Sequence, residues 1–241
     1  MLFQLEDLVK GTVVKRPSAT CKSPYVADVI LETGDSILAH APALGCDGLS
    51  DKGGVVYLSN IITKKDAVCT HRIELAETPD GIIVGINPKL AERIVESAIM
   101  KSHDVKRYKR EKTILNSRFD FIGTHSNDKN FVLEVKTVPL LESPGVAFFP
   151  HGYRKKKGDV VSPRALKHLN DLIDISLNSD AESIMCYVIQ RSDANSFIPS
   201  PSDTIYRNKF FEAKEKGVTI MTLYVEWNRE GMCFFKKKDN F

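Results

Sequence analysis

The segment FVLEVKTVPL, residues 131–140, has the composition of a buried β-strand but contains two charged residues. Its β-branched and aromatic residues favour a pleated, half-buried surface, and Pro139 ends the pattern. Because side chains alternate along a strand, Glu134 and Lys136 share one face while Val135 between them points to the other. Two charges on one face of such a strand require either a functional role or an ion pair.

The segment SRFDF, residues 117–121, shows a similar alternation. It predicts that its two charged residues share one face and its two phenylalanines the other. If GTHSNDKN, residues 123–130, joins the two strands as a hairpin, Asp120 meets Glu134 only when the numbers of paired residues sum to an even value. A slip of one residue would separate the two carboxylates.

In that register two carboxylates and one ammonium group converge, and this combination is typical of metal-dependent phosphodiester hydrolysis. Like-charged carboxylates repel unless a cation lies between them, and hard oxygen ligands suit Mg²⁺ or Mn²⁺. We therefore expect Asp120 and Glu134 to bind the metal and to act in catalysis with Lys136, which would assist the attacking water or the phosphate. The alternative is an exposed edge strand on which Glu134 and Lys136 form a surface ion pair.

The pattern along the chain changes near residue 86. Residues 1–85 contain short strands and turns, which predict a small β-barrel of the five-stranded OB type. Asn87 can cap a helix, Pro88 suits its first turn, and apolar residues recur at helical spacing after them. Strands near 106–114, 118–122 and 131–138, helices near 163–176 and 204–216, and two further strands predict an α/β domain over 86–241 with a mixed central sheet. The fold class is thus α+β, or mixed.

Composition excludes several other classes of protein. No apolar run approaches the length of a membrane span, and the N-terminus lacks the pattern of a signal peptide, so we expect an intracellular, soluble and by default cytoplasmic protein. Five cysteines without a C-x-x-C pair do not form a disulfide framework, and the histidines lack zinc-site spacing. The net charge of +3 is too small to identify a polyanionic partner.

Clustered basic residues give a more specific indication than net charge. They predict a face that follows a phosphate backbone, with an ordinary solvated surface as the alternative. The candidate nucleic-acid-binding residues are Lys106, Arg107, Lys109, Arg110, Arg118, Arg154, Lys155, Lys156 and Lys157. The tail FFKKKDNF, residues 234–241, is interpreted as a solubilising terminus.

Three further residues are auxiliary candidates. Glu96 could be a metal ligand, although it lies away from the apolar stripe of its helix, where a solvated residue is the alternative. His168 could face the cleft and touch a phosphate, or lie on the helix surface. Gln190 could reach the metal site as an amide, or simply end its strand.

The spacing of Asp120 and Glu134-Val135-Lys136, preceded by a helix, matches the D…(D/E)-x-K signature of restriction-endonuclease-like nucleases. Over nearly its whole length the chain also resembles the sugar fermentation stimulation protein A family. The segments that carry this resemblance are YVADV, AHAP, IN at 86–87, SRFDF, EVKTV, FP at 149–150, KHL at 167–169, VIQRSDA, FIP, and DTIY followed by GV.

The resemblance implies an N-terminal OB-like domain, a C-terminal nuclease-like domain, DNA binding and a regulatory role in sugar metabolism. It assigns Asp120, Glu134 and Lys136 to the nuclease-motif positions. The chain departs from the family at Ala41–Gly45, where Cys-Pro-Asn-Thr-Gly is usual, at Ser97, where the family has Glu, and in the stretch 149–169, which contains a basic run.

Three functions therefore remain open from the sequence. The first is a DNA-binding protein with a metal-dependent nuclease site, and the second is a DNA-binding regulatory protein whose nuclease fold is inert. The third is an interaction module without nucleic-acid affinity, which requires the basic clusters to be dispersed over unrelated faces. The expected partner is nucleic acid, DNA before RNA. The oligomeric state is undetermined, and a homodimer is compatible with the sequence.

Overall fold

The computed structural model describes residues 1–44, 46, 48–61, 68–152, 154, 156 and 158–241. The strands are β1 Phe3–Gln4, β2 Val9–Lys15, β3 Val26–Leu31, β4 Ser36–His40, β5 Val55–Asn60, β6 His71–Glu77, β7 Ile83–Gly85, β8 Val105–Ile114, β9 Ser117–His125, β10 Asn130–Val138, β11 Leu141–Ser143, β12 Val146–Phe149, β13 Glu182–Ile189, β14 Ser196–Pro199, β15 Thr219–Trp227 and β16 Met232–Asn240. The helices are α1 Pro88–Val95, continued by a π-helical turn at Glu96–Met100, α2 Pro163–Asn178 and α3 Thr204–Glu215.

The N-terminal strands form the small barrel that their spacing predicts. They are ordered β4-β3-β2-β5-β6-β7, and a parallel pairing of β4 with β6 closes the five strands β2–β6 into a barrel. Its core is built from apolar residues of β2, β3, β5 and β6, among them Val13, Val29 and Ile73. β7 extends the barrel at β6 and leads directly into α1.

The second half of the chain is built on a mixed sheet. Within the described ranges its strand order is β1-β16-β15-β13-β10-β9-β8, with β10, β13 and β15 parallel. α1 packs on one face, where Leu90 and Ile94 join the core of Leu133. α2 and α3 pack on the other face, where Leu169 and Phe210 join a second core. The predicted mixed fold with a central sheet between helices is confirmed.

The structure contains strands that the sequence analysis did not predict. The interpretation of residues 234–241 as a solubilising terminus is wrong, because residues 232–240 form β16, which pairs antiparallel with β15. β1 pairs with β16, so the N-terminal residues join the sheet of the second half rather than the barrel. The short strands β11, β12 and β14 form a separate small sheet. The division into domains 1–85 and 86–241 stays a prediction.

The start of α1 is fixed by a hydrogen-bonded link to the barrel. Asn87 caps the helix, since its side chain accepts from the Lys89 N–H at 3.1 Å, and Pro88 occupies the first turn. The Asn87 amide also donates to Glu74 Oε2 of β6 at 2.6 Å. Both groups are buried, so this contact fixes the direction in which α1 leaves the barrel.

Candidate active site

The candidate site begins where strands β9 and β10 separate. Their antiparallel ladder runs from Asn130 opposite Thr124 to Leu133 opposite Phe121, so paired residue numbers sum to an even value, as the hypothesis required. Beyond that pair the Val135 N–H donates to Asp120 Oδ2 at 2.8 Å instead of to a strand carbonyl. The carboxylate thus replaces a ladder partner at the point where the sheet opens.

A cleft of about 480 Å³ lies at this opening. Its lining includes all three residues of the predicted motif, Asp120, Glu134 and Lys136. Further charged residues of the lining are Lys89 and Glu92 from α1, Glu111 from β8, Arg118 from β9 and Arg164 from α2. Of these five residues, Arg118 was a candidate from the sequence and the other four were not.

Glu134 lies at the centre of the site and is only 3% exposed. Its Oε1 contacts the Lys136 ammonium and His168 Nδ1, whereas its Oε2 is buried and has no hydrogen-bond partner among the described residues. Burial alone would raise the pKa of Glu134, but Lys136 and His168 hold it below its ordinary value. An ionised, buried carboxylate with one unsatisfied oxygen fits the ligand set of a hard divalent cation.

Asp120, the second carboxylate of the motif, has a pKa that is shifted in the opposite direction to that of Glu134. Burial, and then the neighbouring Glu134 charge, raise the pKa of Asp120 to about 7, against the smaller opposing effects of Lys136 and the Val135 N–H. When two carboxylates lie close together and one of them resists ionisation, a bound cation would relieve the repulsion between their charges. Among the residues that the structure describes, however, no group of three or more His, Cys, Asp or Glu side chains is placed to hold a metal ion.

The acidic residue of α1 that lines the cleft is Glu92, which sequence reasoning missed, and not Glu96. Glu96 accepts hydrogen bonds from Tyr108 at 3.0 Å and Arg110 at 3.1 Å, outside the cleft lining. Glu92 is 8% exposed and pairs with Lys89 at 2.7 Å and Arg110 at 2.8 Å. A signal was present in the sequence, because at 100° per residue Glu92 lies closer than Glu96 to the apolar stripe of the helix.

The other two auxiliary candidates occupy distinct positions. His168 is buried on the first turns of α2, packs against Phe119 and lies 3.1 Å from the Lys136 ammonium, so it touches the motif directly. Gln190 is fully buried and does not line the cleft. Its amide donates to Thr137 Oγ1 at 2.5 Å, and Thr137 is the residue that reaches the cleft.

The predicted basic face is dispersed. Lys106 pairs with Asp128, Arg110 pairs with Glu92 and Glu96, and Arg154 donates to the Ser202 carbonyl. Arg107 and Lys109 line a separate cleft of about 520 Å³ along β8–β10 that contains none of the motif residues. The Lys156 N–H donates to Asp159 at 3.1 Å, and Lys155 and Lys157 lie outside the described residues.

The sequence of this chain is similar to those of one protein family. Residues 85–231 match the family model described as the sugar fermentation stimulation protein RE domain. The sugar fermentation stimulation protein homolog of Synechocystis sp. is 31% identical over 97% of this chain and 95% of its own length. The homolog of Brucella anthropi is 32% identical over 90% of each chain.

A solved structure shares the fold. The Pyrococcus furiosus SfsA structure, in complex with Ca²⁺, matches with a TM-score of 0.81 over 98% of this chain and 96% of its own, at 19% identity. No helix in the described part of the chain has both the length and the apolarity needed to cross a membrane. The extent of the family match and the identity to its full-length members establish that this chain belongs to the sugar fermentation stimulation protein family.

Proposed function

We propose that this protein binds nucleic acid, DNA in the first place, and cleaves its phosphodiester bonds with the help of Mg²⁺ or Mn²⁺. The observation that carries the proposal is the buried Glu134 Oε2, which has no hydrogen-bond partner among the described residues and belongs to a side chain that lines an open cleft together with Asp120. A buried carboxylate oxygen without a donor is unfavourable, and a cation shared with Asp120 would satisfy it. Asp120 and Glu134 would hold the ion.

The protein groups around this pair have separable roles. When bound, the ion would acidify a water ligand and neutralise phosphate charge. Lys136 is held by Glu134 Oε1 and lies beside His168, so its ammonium group is positioned at the cleft without needing to reorganise. It would stabilise negative charge that develops on a phosphate oxygen. The Val135 N–H fixes Asp120 in the orientation that faces the cleft.

Two further observations support the proposal, one on the substrate class and one on the metal. The cleft is lined by cationic residues from three elements, Lys89, Arg118 and Arg164, as binding of a phosphate backbone requires. The Pyrococcus furiosus relative was solved in complex with Ca²⁺, a hard divalent cation with the same preference for oxygen ligands.

The test is cleavage of labelled single- and double-stranded DNA and RNA in Mg²⁺, Mn²⁺ or chelator, with the parent protein and Asp120→Asn. We expect metal-dependent cleavage by the parent and a loss of at least about 100-fold in the variant, since removing a metal ligand removes most of the electrostatic stabilisation. Asp128→Asn is the matched control, because Asp128 is an exposed aspartate in the β9–β10 turn that pairs with Lys106 at 2.6 Å and does not line the cleft.

Binding without cleavage under every metal condition would contradict the proposal and favour the inert DNA-binding alternative. Equal cleavage by the parent and Asp120→Asn would instead attribute the activity to another site or to a contaminant. Absence of binding to all four nucleic acids would exclude both functions.

A further inference from the structure

Glu111 holds an unusual position directly beside the candidate site. In the β8–β9 ladder Arg110 pairs with Phe121 and Lys112 pairs with Phe119, so Glu111 lies opposite Asp120, at a step the pairing skips. Its backbone is in the left-handed region, with φ of 52°. Few non-glycine residues adopt this conformation, and such positions concentrate at functional sites.

The Glu111 side chain bridges two cations of the cleft. Its Oε1 lies 3.1 Å from the Lys89 ammonium and its Oε2 lies 3.7 Å from the Arg118 guanidinium. All three side chains line the cleft that contains Asp120 and Glu134. A carboxylate with one oxygen on each of two cations occupies the place of a small oxyanion.

We propose that Lys89 and Arg118 form a binding subsite for a backbone phosphate next to the scissile one, and that the Glu111 carboxylate occupies this subsite in the free protein. The inference rests on the proposed function and names how the cleft recognises its substrate. A phosphate presents more oxygens and a fuller charge than a carboxylate, and both ammonium and guanidinium groups bind it well.

The solvent exposure of these three side chains allows a phosphate to replace the Glu111 carboxylate. The side chains of Lys89, Glu111 and Arg118 are 63%, 42% and 58% exposed, so their ion pairs are solvated and weak enough for a polyanion to displace the carboxylate. Arg164, on the first turn of α2, lines the same cleft and forms no ion pair with any described residue. Once Glu111 moves aside, a phosphate entering the cleft therefore meets Arg118, Arg164 and the Lys89 ammonium, which keeps Glu92 as its second carboxylate partner at 2.7 Å.

The test is the affinity of Glu111→Gln for a fluorescein-labelled 20-base-pair DNA duplex and for the corresponding single strand, measured in chelator at several salt concentrations. Glutamine keeps the size of the side chain and removes the competing charge. We expect Glu111→Gln to bind the DNA more tightly than the parent protein by about threefold or more at low salt. For each of Lys89→Gln and Arg118→Gln, the salt dependence of binding should decrease by the amount that corresponds to about one phosphate contact. The gain should disappear in the Glu111→Gln/Arg118→Gln double variant.

Glu32→Gln is the matched control, because Glu32 is an exposed glutamate paired with Lys10 at 3.2 Å on the barrel. It changes the net charge equally, so an equal gain in both variants would overturn the proposal. Unchanged affinity in Glu111→Gln, or no binding by the parent, would also overturn it. If Glu111→Gln binds more tightly but no metal ion supports cleavage, the proposed hydrolysis fails and the subsite stands. If the parent cleaves and Glu111→Gln binds like the parent, the subsite fails and the hydrolysis stands.

Discussion

At the scale of single residues, Asp120 combines a functional position with an energetic cost. Its carboxyl is buried near Glu134, and the pKa is raised to about 7. In the unfolded chain an aspartate titrates near its ordinary value of about 4. Ionising Asp120 at neutral pH therefore disfavours the folded, metal-free protein.

We predict that Asp120→Asn stabilises the metal-free protein at pH 8. Between pH about 4 and 7 the folded state holds a proton that the unfolded state has lost, so stability falls as pH rises through this range. Asparagine can still accept from the Val135 N–H but carries no charge. The free energy of unfolding in urea with chelator should increase on the order of 2 kcal/mol at pH 8 and change little at pH 4.

Asp128→Asn serves as the control for this prediction. Pairing with Lys106 lowers the pKa of this exposed aspartate, which is the opposite direction, so no gain is expected at pH 8. Added Mn²⁺ should stabilise the parent more than Asp120→Asn, since a ligand that binds only the folded state raises its stability. A loss of stability in Asp120→Asn at pH 8 would mean that its charge is already compensated in the metal-free site.

Residue-level reasoning from the sequence succeeded where strand alternation holds and failed where the backbone departs from it. Alternation along residues 131–138 placed Glu134 and Lys136 on one face. The same rule put Phe119 and Phe121 together, but they pack in different cores on opposite sides of the sheet. Glu111, whose backbone is in the left-handed region, lies in the β8–β9 ladder between the pairs that contain Phe119 and Phe121. A residue other than glycine gives no signal in the sequence for such a conformation.

At the scale of secondary-structure elements, α1 is positioned by its first turn. Asn87 joins the helix to buried Glu74, and the following turn carries Lys89 and Glu92 into the cleft. We predict that Asn87→Ala lowers the free energy of unfolding by about 2 kcal/mol, because the helix loses its cap and Glu74 Oε2 loses its donor. Chemical denaturation of the parent and the variant measures the difference.

Asn178→Ala is the control for the Asn87 prediction. Asn178 ends α2, is exposed and donates to the Asp174 carbonyl of its own helix at 2.9 Å, so its removal should change stability by less than about 0.5 kcal/mol. Equal effects of the two variants would show that the bond between Asn87 and Glu74 contributes nothing specific.

Helices and strands could be predicted from the sequence where the signal lies in neighbouring residues, and not where it depends on pairing between distant segments. α2 begins at Pro163, as its Ser162–Pro163 signal and periodicity indicate, and α1 begins at Pro88 for the same reason. The tail was misread because Lys236–Lys238 resemble a solvated terminus, whereas this segment pairs with β15 on one side. On its other side β1 covers only Met232 and Cys233, so the lysines lie along an open edge of the sheet. Pairing of β1 with β16 joins the two ends of the chain, and no local pattern reports such a contact.

At the scale of the whole molecule, the barrel and the large sheet share one apolar core. Tyr57, Leu75 and Ile83 of the barrel belong to the same buried cluster as Trp227 of β15. The Arg229 guanidinium also pairs with Glu77 at 2.6 Å across this junction. Because burial is continuous, we expect the two halves to unfold together.

Gly85 lies at the centre of this junction. Its N–H donates to the Gln190 carbonyl at 2.9 Å, so β7 contacts the end of β13 through its backbone. A Cβ at this position would overlap Gln190 Oε1 and lie 2.7 Å from Trp227 Nε1. Both side chains are buried, so a shift of either one disturbs the packing around it.

We predict that Gly85→Ala destabilises the whole chain by about 2–3 kcal/mol, the upper part of the usual range of about 1–3 kcal/mol for overpacking a buried site. Trp227 is the only tryptophan of the sequence, so its fluorescence reports the junction while far-UV circular dichroism reports both halves. The two urea transitions should coincide in the parent and shift together in the variant. Gln190→Ala should recover part of the loss in the double variant, because it removes Oε1 and Cδ of Gln190, two of the three closest atoms that the methyl group meets. Separate transitions by the two probes would instead show that the halves fold independently and that the shared core does not couple them.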